Sequence, residues 1–330
     1  MKKSIALIIA FSISATALAQ NTTPRDTSWK RGGYASLQFN QVAFSHWAAG
    51  GTNSLSLTAV GFGFANYTKG KNFWNSYANL NYGVQQQQYQ RIPTKNTDLM
   101  ELQTKAGHEL GKKFFLSGLI NFRSQFANGY NLPNDSVVVS KFMSPGYLTM
   151  SIGIDWRPTS YFSLYLSPAT GKLTFVTDQN IADQVINGAS LWGTDPAVYD
   201  SDGVLLSHGK TLRTEFGAYL AATFVKDIAK NVNVATKLQL FNNFTDENKP
   251  NRKNIDVNWD FLMNMKINAW LAASVFANLI YDQDVVITDY NSDGTPELDA
   301  NGNIVAGPRT QFKEGIGIGL TYKFGDSLTK

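Results

Sequence analysis

Acidic and amide side chains at alternate positions make residues 289–299 the strongest candidate for a metal site. The order Asp-Tyr-Asn-Ser-Asp-Gly over 289–294 resembles the first half of a calcium-binding loop. Ala300 occupies the position of the bidentate glutamate, and Asp-Gly turns alone produce the same residue types. Weak calcium binding and a pair of turns therefore stay open as alternatives. The expected calcium ligands are Asp289, Asn291, Asp293, Glu297 and Asp299.

The histidines do not form a recognisable catalytic arrangement. Nucleophilic catalysis needs a base within reach of a hydroxyl or thiol, and the chain has no cysteine. In an extended strand Ser45 points away from His46, and the same-face neighbours of His108 are Ala106 and Leu110. We therefore predict no catalytic residue and no enzyme. A lipid-modifying barrel hydrolase remains the third alternative.

A short Thr-Gly-Lys sequence at 170–172 is similar to the end of a phosphate-binding loop. That loop requires glycine where Leu166 stands, followed by a helix, and neither condition is met. Pro168 and Gly171 instead predict a bend or bulge in a strand.

Strict alternation of apolar and polar residues reveals the elements that must position these groups. Between 255 and 267 every second residue is apolar, from Ile255 to Ile267, and most residues between them are polar or charged. Successive side chains of a strand point to opposite faces, so this strand has one apolar and one polar face. Its length suits a tilted strand that crosses a bilayer.

The alternation recurs along the chain, with turn residues between the segments. It predicts one all-β domain, a transmembrane antiparallel β-barrel of about twelve strands. The predicted strands are 34–46, 53–68, 73–90, 98–110, 114–127, 147–157, 162–177, 211–225, 232–245, 254–268, 271–286 and 310–324.

Short and long connections alternate between these strands. The longest are 128–146, 178–210 and 287–309. Bacterial outer-membrane barrels have short periplasmic turns and long outer loops, so both ends of the barrel should be periplasmic. Lysines fall in the short turns and acidic residues in the long loops, which predicts an acidic outer mouth that gathers cations.

Charged residues of both signs fall on the polar faces of the strands and should line the lumen. The predicted lumen-facing charges are Lys105, Arg123, Asp155, Arg157, Arg213, Glu215, Lys237, Asp256 and Asp260. Glu101 and Lys313 share this pattern, and Tyr165, Tyr219, Phe241 and Phe276 should narrow the bore. Mixed charges either line a weakly selective aqueous path or pair and close it.

The loop 178–210 carries more apolar residues than a solvated loop needs. Asp178 is a candidate helix cap before residues with helical spacing. We predict that this segment forms a lid over the mouth or within the lumen, with a plain mobile loop as the alternative. The predicted lid residues are Ile181, Val185, Ile186, Trp192, Leu205 and Leu206.

The start of the chain has the pattern of a secretory signal peptide. Lys2 and Lys3 precede an apolar run that is shorter than a spanning helix, and small residues follow up to Ala19. The predicted organisation is a signal peptide at 1–19, a periplasmic segment at 20–32, the barrel at 33–324 and a periplasmic tail at 325–330. Without the two signal lysines the charge is nearly balanced, which argues against a nucleic-acid partner.

Four stretches carry a resemblance to a known family. They are 41–54 (QVAFSHWAAGGTNS), 166–172 (LSPATGK), 256–259 (DVNW) and 311–314 (QFKE). They resemble the domain-of-unknown-function family three-zero-seven-eight, outer-membrane barrels found mainly in Bacteroidota. The resemblance implies an outer-membrane location in a Gram-negative cell, but no assigned chemistry.

The expected function is a narrow, weakly selective channel for small polar solutes. The first alternative is a non-conducting barrel that serves as a subunit or scaffold of an envelope complex. The expected partners are outer-membrane lipid, lipopolysaccharide and envelope proteins. Apart from calcium, no cofactor is expected.

Overall fold

Twelve antiparallel strands form a closed barrel in the computed structural model, which describes residues 28–43, 53–88, 93–130, 136–291 and 295–326. The predicted signal peptide therefore lies outside the described residues. The barrel strands are β1 Trp29–Val42, β2 Ser54–Lys69, β3 Asn72–Gln87, β4 Thr94–Gly111, β5 Phe114–Ser124, β6 Gly146–Thr159, β7 Phe162–Phe175, β8 Leu212–Ala229, β9 Val232–Asn243, β10 Asp256–Lys266, β11 Leu271–Tyr281 and β12 Gln311–Gly325.

Each strand pairs with its neighbours in the chain, and β1 pairs with β12 to close the ring. The predicted all-β barrel of twelve strands is confirmed. The observed barrel begins at Trp29 and ends at Gly325, just beyond the predicted bounds of 33 and 324. Because the strand number is even, both ends of the barrel lie on the side of the short turns.

The short turns are tight because residues with left-handed backbone angles reverse the chain. Gly70 has φ +56° between β2 and β3, and Asn231 has φ +68° between β8 and β9. Glycine and asparagine adopt these angles at low cost.

Apolar side chains cover the outside of the barrel. On β6, Ile152 is 65% exposed, whereas its neighbour Ser151 is buried inside. On β10, Met263 pairs with Val234 and Val275 on the outer face, and Asn264 accepts a hydrogen bond from Ser274 Oγ (2.6 Å) on the inner face. The alternation in the sequence therefore predicted the two faces correctly.

Aromatic rings form a belt near the short turns. Trp29 lies 5.1 Å from Tyr67 and 6.1 Å from Trp74 between ring centres, and Trp156 lies 6.3 Å from Phe162. Aromatic side chains at this level are typical of the membrane–water interface. The exposed members on this side include Trp74, Trp156, Trp270 and Phe324.

The longest loop, between β7 and β8, is folded. Asp178 caps a one-turn helix, Gln179–Ala182, by accepting a hydrogen bond from the Asn180 amide (2.8 Å). The helical spacing predicted for Val185 and Ile186 is wrong, because these residues form a two-residue strand that pairs with Ala189–Ser190. The helices within the described part of the chain are too short to cross a membrane.

Candidate functional site in the barrel lumen

Charged side chains meet inside the barrel at three levels. On β4, which runs from the loop side to the turn side, Glu101 belongs to the central level and Lys105 to the level nearer the turns. We call these groups the outer, central and inner clusters, where the outer cluster lies next to the long loops.

The central cluster crosses the lumen. Lys237 Nζ of β9 lies 2.9 Å from Tyr77 Oη of β3, 3.0 Å from Gln103 Oε1 and 3.3 Å from Glu101 Oε1 of β4. Strands β3 and β9 stand opposite each other in the ring of twelve. The Lys237 side chain and its partners therefore span the lumen at this level.

Further hydrogen bonds hold the Glu101 carboxylate, whose residue is only 5% exposed. Asn121 Nδ2 and Tyr77 Oη each donate to Glu101 Oε1 over 2.9 Å. An ionised group taken out of bulk water needs such partners, because its desolvation is otherwise uncompensated.

The outer cluster has Lys172 at its centre. Lys172 Nζ lies 2.9 Å from Asp256 Oδ2, 3.3 Å from Asp282 Oδ2 and 3.5 Å from Glu215 Oε2. Asp282 follows the end of β11. Burial opposes its ionisation, but Lys172, the Asp284 amide and Arg213 together outweigh burial and lower the pKa of the carboxyl. One lysine thus joins strands β7, β8 and β10 to a loop residue.

Arg213 forms the second half of the outer cluster. Its guanidinium lies 2.7 Å from Asp284, 3.3 Å from Glu215 and 3.8 Å from Asp246. Burial raises the pKa of the Asp284 carboxyl to about 6, although Arg213 acts in the opposite direction. Five carboxylates in the outer cluster face two cations, so this end of the lumen is acidic. The predicted acidic outer mouth rested on other carboxylates, those of the loops 178–210 and 287–309.

The inner cluster surrounds Asp155, which is fully buried. Lys105 Nζ lies 2.8 Å and Arg157 2.7 Å from Asp155 Oδ2. The Arg157 guanidinium also stacks over the Phe73 ring at 3.5 Å. Beside this cluster, one wall of the lumen is filled by packed side chains of Leu119, Tyr165, Tyr219, Ala221 and Phe241.

Seven of the nine predicted lumen-facing charges make the ion pairs described above. Of the other two, Asp260 accepts a hydrogen bond from Asn278 Nδ2 (2.6 Å), and Arg123 pairs with Glu101 in the β4–β5 register. The lumen residues that sequence reasoning missed are Tyr77, Gln103, Lys172, Asp246, Asp282 and Asp284.

The β7–β8 loop packs as a small unit above the outer cluster. Ile181 is buried with Val176, and Trp192 packs against them. The loop contacts the outer cluster directly, since Arg213 Nη1 donates to Gly193 O over 2.5 Å. It also reaches the β11–β12 loop through Asn187.

The predicted lid residues lie in three parts of the loop. Ile181 and Trp192 belong to the packed interior of the loop, and Val185 and Ile186 to its first hairpin. Leu205 lies in the second hairpin, and its neighbour Leu206 is 65% exposed. Restriction of passage by this loop stays a prediction.

The predicted calcium ligands have protein partners in the described residues. Asp289 pairs with Arg309 over 2.5 Å, which lowers the pKa of the carboxyl. Asp299 accepts backbone hydrogen bonds from Asn301 and Asn303 (2.9 Å each) in its own turn. Asn291 donates a hydrogen bond to Thr295. Within the described residues, Glu297 belongs to no cluster of side chains that could hold a metal ion. Asp293 lies outside the described residues. Calcium binding stays a prediction.

Two histidines are described, and each contacts a polar side chain. His108 lies 2.7 Å from Asn72 Oδ1 on the outer face, and His208 lies 2.8 Å from Asp183 Oδ2 in the β7–β8 loop. His46 lies outside the described residues. The expectation that the protein is not an enzyme stays a prediction.

Comparison with known families supports the resemblance seen in the sequence. Residues 39–130 match the model of the protein family of unknown function DUF3078. This range contains the 41–54 motif, and the predicted resemblance is confirmed over it. No curated protein matches the chain significantly.

Solved outer-membrane barrels are similar to this chain at low identity. An outer membrane channel from Pseudomonas putida F1 is 11% identical, with 92% of this chain and 100% of that chain covered and a TM-score of 0.39. The translocator domain of the autotransporter NalP from Neisseria meningitidis is 10% identical, with 96% and 95% covered and a TM-score of 0.33. The NanC porin is 9% identical, with 89% and 97% covered and a TM-score of 0.31.

Proposed function

We propose that this protein is an outer-membrane barrel that forms a narrow, weakly selective channel for small polar solutes. In the conformation described here Lys237 holds the channel closed. The observation that carries the proposal is the contact of Lys237 with Tyr77, Glu101 and Gln103 across a lumen lined by charges.

The outer surface of the barrel supports the location. Large apolar side chains are exposed on the outside of the barrel, and Ile152, Ile316 and Tyr322 are each at least 65% exposed. Such exposure is unfavourable in water but favourable in contact with lipid. The aromatic belt near the short turns fits the periplasmic interface of such a barrel.

The chemistry of the lumen supports passage of polar solutes. A barrel that serves only as a support can be filled with apolar side chains, and buried ion pairs often stabilise a protein less than such packing. Here three clusters of paired charges occupy the lumen instead. Water that enters between them would hydrate the charges and open a polar path, and the acidic outer cluster would favour cations.

A non-conducting scaffold is the second candidate function. The same contact across the lumen favours it, because hydrogen bonds of 2.9–3.0 Å join the central cluster to both walls. In this case the protein would function by binding partner proteins through its loops, and nothing would pass through the lumen.

Conductance in planar bilayers distinguishes the two candidates. We expect rare, small openings from the native protein and more frequent openings from Lys237→Met, which keeps the side-chain volume but removes the charge. Loss of one charge-assisted contact, worth about 1.5–3 kcal/mol, corresponds to an increase in open probability of about tenfold or more.

Two further variants control this experiment. Lys69→Met changes an exposed lysine beside a short turn and should leave conductance unchanged. Lys237→Met combined with Glu101→Gln removes both charges, in case an unpaired Glu101 impairs folding. Heat-modifiable, folded barrels that never conduct in any of these forms would exclude the channel and favour the scaffold.

A further inference from the structure

The barrel wall is incompletely paired where its first and last strands meet. The β1–β12 ladder runs from the Gly32–Gly325 pair to the Phe39–Ile318 pair. Residues 40–42 of β1 continue to pair with β2, and residues 315–317 of β12 continue to pair with β11. Within the described residues these two stretches do not pair with each other. We call them the seam gap.

A side chain partly replaces the missing ladder. Asn40 Nδ2 donates to Ile316 O over 3.2 Å, where a continuous ladder would place backbone donors. Inside a bilayer an unpaired backbone group costs several kcal/mol, so a barrel normally closes this edge completely.

The seam gap lies at the level of the lipid-facing band. On its outer side, Phe312 is 57% and Ile316 66% exposed, and Phe39 of β1 is 49% exposed. The β12 side of the gap is therefore apolar on the outside, and on the β1 side the outward positions are Phe39, in the last ladder pair, and Gln41. An alkyl chain in the bilayer could lie against these apolar side chains without loss of apolar contact.

A lysine faces the lumen beside the gap. Lys313 Nζ of β12 donates to Asn96 O and Thr97 Oγ1 of β4, over 2.7 Å each. These partners are uncharged, and in the described part of the chain the Lys313 ammonium group has no carboxylate within ion-pair distance. The lumen lysines Lys105, Lys172 and Lys237, in contrast, each pair with at least one carboxylate.

Two glycines lie at the gap, and an aromatic ring packs on the lumen side of one of them. Gly315 and Gly317 lie on the lumen face of β12, and a Cβ atom at Gly315 would come within 2.5 Å of the Phe276 ring. The Phe276 ring therefore occupies the lumen side of Gly315, and its centre lies 5.8 Å from Lys313 Nζ.

We infer that the seam gap binds an acidic amphiphile, with its anionic head at Lys313 and its alkyl chain in the surrounding lipid. The unneutralised ammonium group selects a carboxylate or phosphate head, because a charge-assisted hydrogen bond compensates the partial burial of both groups. The apolar rim formed by Phe39, Phe312 and Ile316 selects the chain. The head would lie in the lumen on the loop side of the Lys237 contact, because Asn96 and Thr97 precede Glu101 on β4.

Engineered disulfides test whether the wall is open at the gap. Leu37 and Leu320 are a ladder pair, and Gln41 and Ile316 occupy the same register four residues further along each strand. Opposed residues in an intact antiparallel ladder have Cα atoms about 4.5–5.5 Å apart, within disulfide range. In membranes we expect Leu37→Cys/Leu320→Cys to cross-link rapidly and Gln41→Cys/Ile316→Cys to cross-link at least about tenfold more slowly. Equal rates would show a closed wall and overturn the inference.

Photolabelling tests the ligand. A diazirine-bearing fatty acid in nanodiscs of zwitterionic lipid should label residues 40–42 and 315–317, as mapped by mass spectrometry. Lys313→Met should reduce this labelling about tenfold, the effect of losing one charge-assisted contact. Lys323→Met is the matched control, since Lys323 lies on the same face of the same strand where the ladder is intact.

The remaining comparisons separate the possible ligands. A probe of equal chain length with an uncharged sugar head should label the gap weakly. Competition by inorganic phosphate alone would assign the site to a free anion rather than to an amphiphile and would overturn the inference. Labelling that is equal in native protein, Lys313→Met and Lys323→Met would also overturn it.

Discussion

Each side chain in a spanning strand has one of two environments, lipid or lumen, and its neighbour has the other. A charged side chain is therefore tolerated only at alternate positions, those that face the lumen. Met263 and Asn264 make the contrast sharp, because Met263 lies among Val234 and Val275 on the outer face and Asn264 bonds Ser274 on the inner face.

Met263→Arg should therefore impair assembly much more than Asn264→Arg. An arginine on the lipid face costs about 2–4 kcal/mol at the midplane of the bilayer and less towards its edges. The yield of heat-modifiable barrel in purified outer membranes measures the difference. Equal yields from the two variants would contradict the assigned faces of β10.

Alternation predicted most of the lumen charges, but it failed at Lys172 for a local reason. On β7, Tyr165 and Ser167 face inward, and so do Thr170 and Lys172. The ladder with β8 shifts between the Tyr219–Ser167 and Gly217–Thr170 pairs. Because of this bulge, the inward-facing residues have odd numbers before it and even numbers after it. Pro168 and Gly171 predicted the bulge, yet its length, and hence the face of Lys172, depends on pairing with neighbouring strands.

At the scale of elements, the strands were easier to predict than the loops. A strand shows its period directly in the sequence, whereas the β7–β8 loop folds through contacts with distant parts of the chain. Asp282 and Asp284 gave no periodic signal, since they follow the end of β11 and reach the outer cluster only because the barrel closes. The contacts across the lumen at Lys237 depend on closure in the same way.

The packing of the β7–β8 loop should depend on pH through Asp284. Its folded pKa of about 6 exceeds the ordinary value of 3.8, so the packed loop holds a proton more tightly than the opened loop does. Stabilisation of the packed state is therefore complete below about pH 4 and is lost as the pH rises through about 6. Arg213 lowers the pKa, whereas Asp282 and Glu215 raise it.

Hydrogen exchange at Trp192 and Gly193 should report this effect. After correction for intrinsic rates, we expect stronger protection at about pH 5 than at about pH 8. Asp284→Asn should make protection independent of pH over this interval. Asp202→Asn, an exposed change in the same loop, should retain the native dependence. A native loop with constant protection would contradict the role assigned to Asp284.

At the scale of the whole molecule, the chain divides its charge between the two ends of the barrel. Lys69 and Lys71 flank a short turn, and the long loops carry acidic residues such as Asp200 and Asp202. The even strand number places both ends of the barrel with the lysine-bearing turns. The orientation of the barrel in the membrane therefore determines on which side all the long loops and all the short turns lie.

That orientation can be tested with single cysteines, because the native chain contains none. Ser201→Cys lies at an exposed position of the β7–β8 loop, and Lys71→Cys at an exposed position of a short turn. We expect a membrane-impermeant maleimide to label Ser201→Cys on intact cells, since outer-membrane barrels present their long loops outside. Lys71→Cys should be labelled only after the outer membrane is permeabilised. The reverse pattern would show that the barrel is inverted, and labelling of neither variant before permeabilisation would contradict the outer-membrane location.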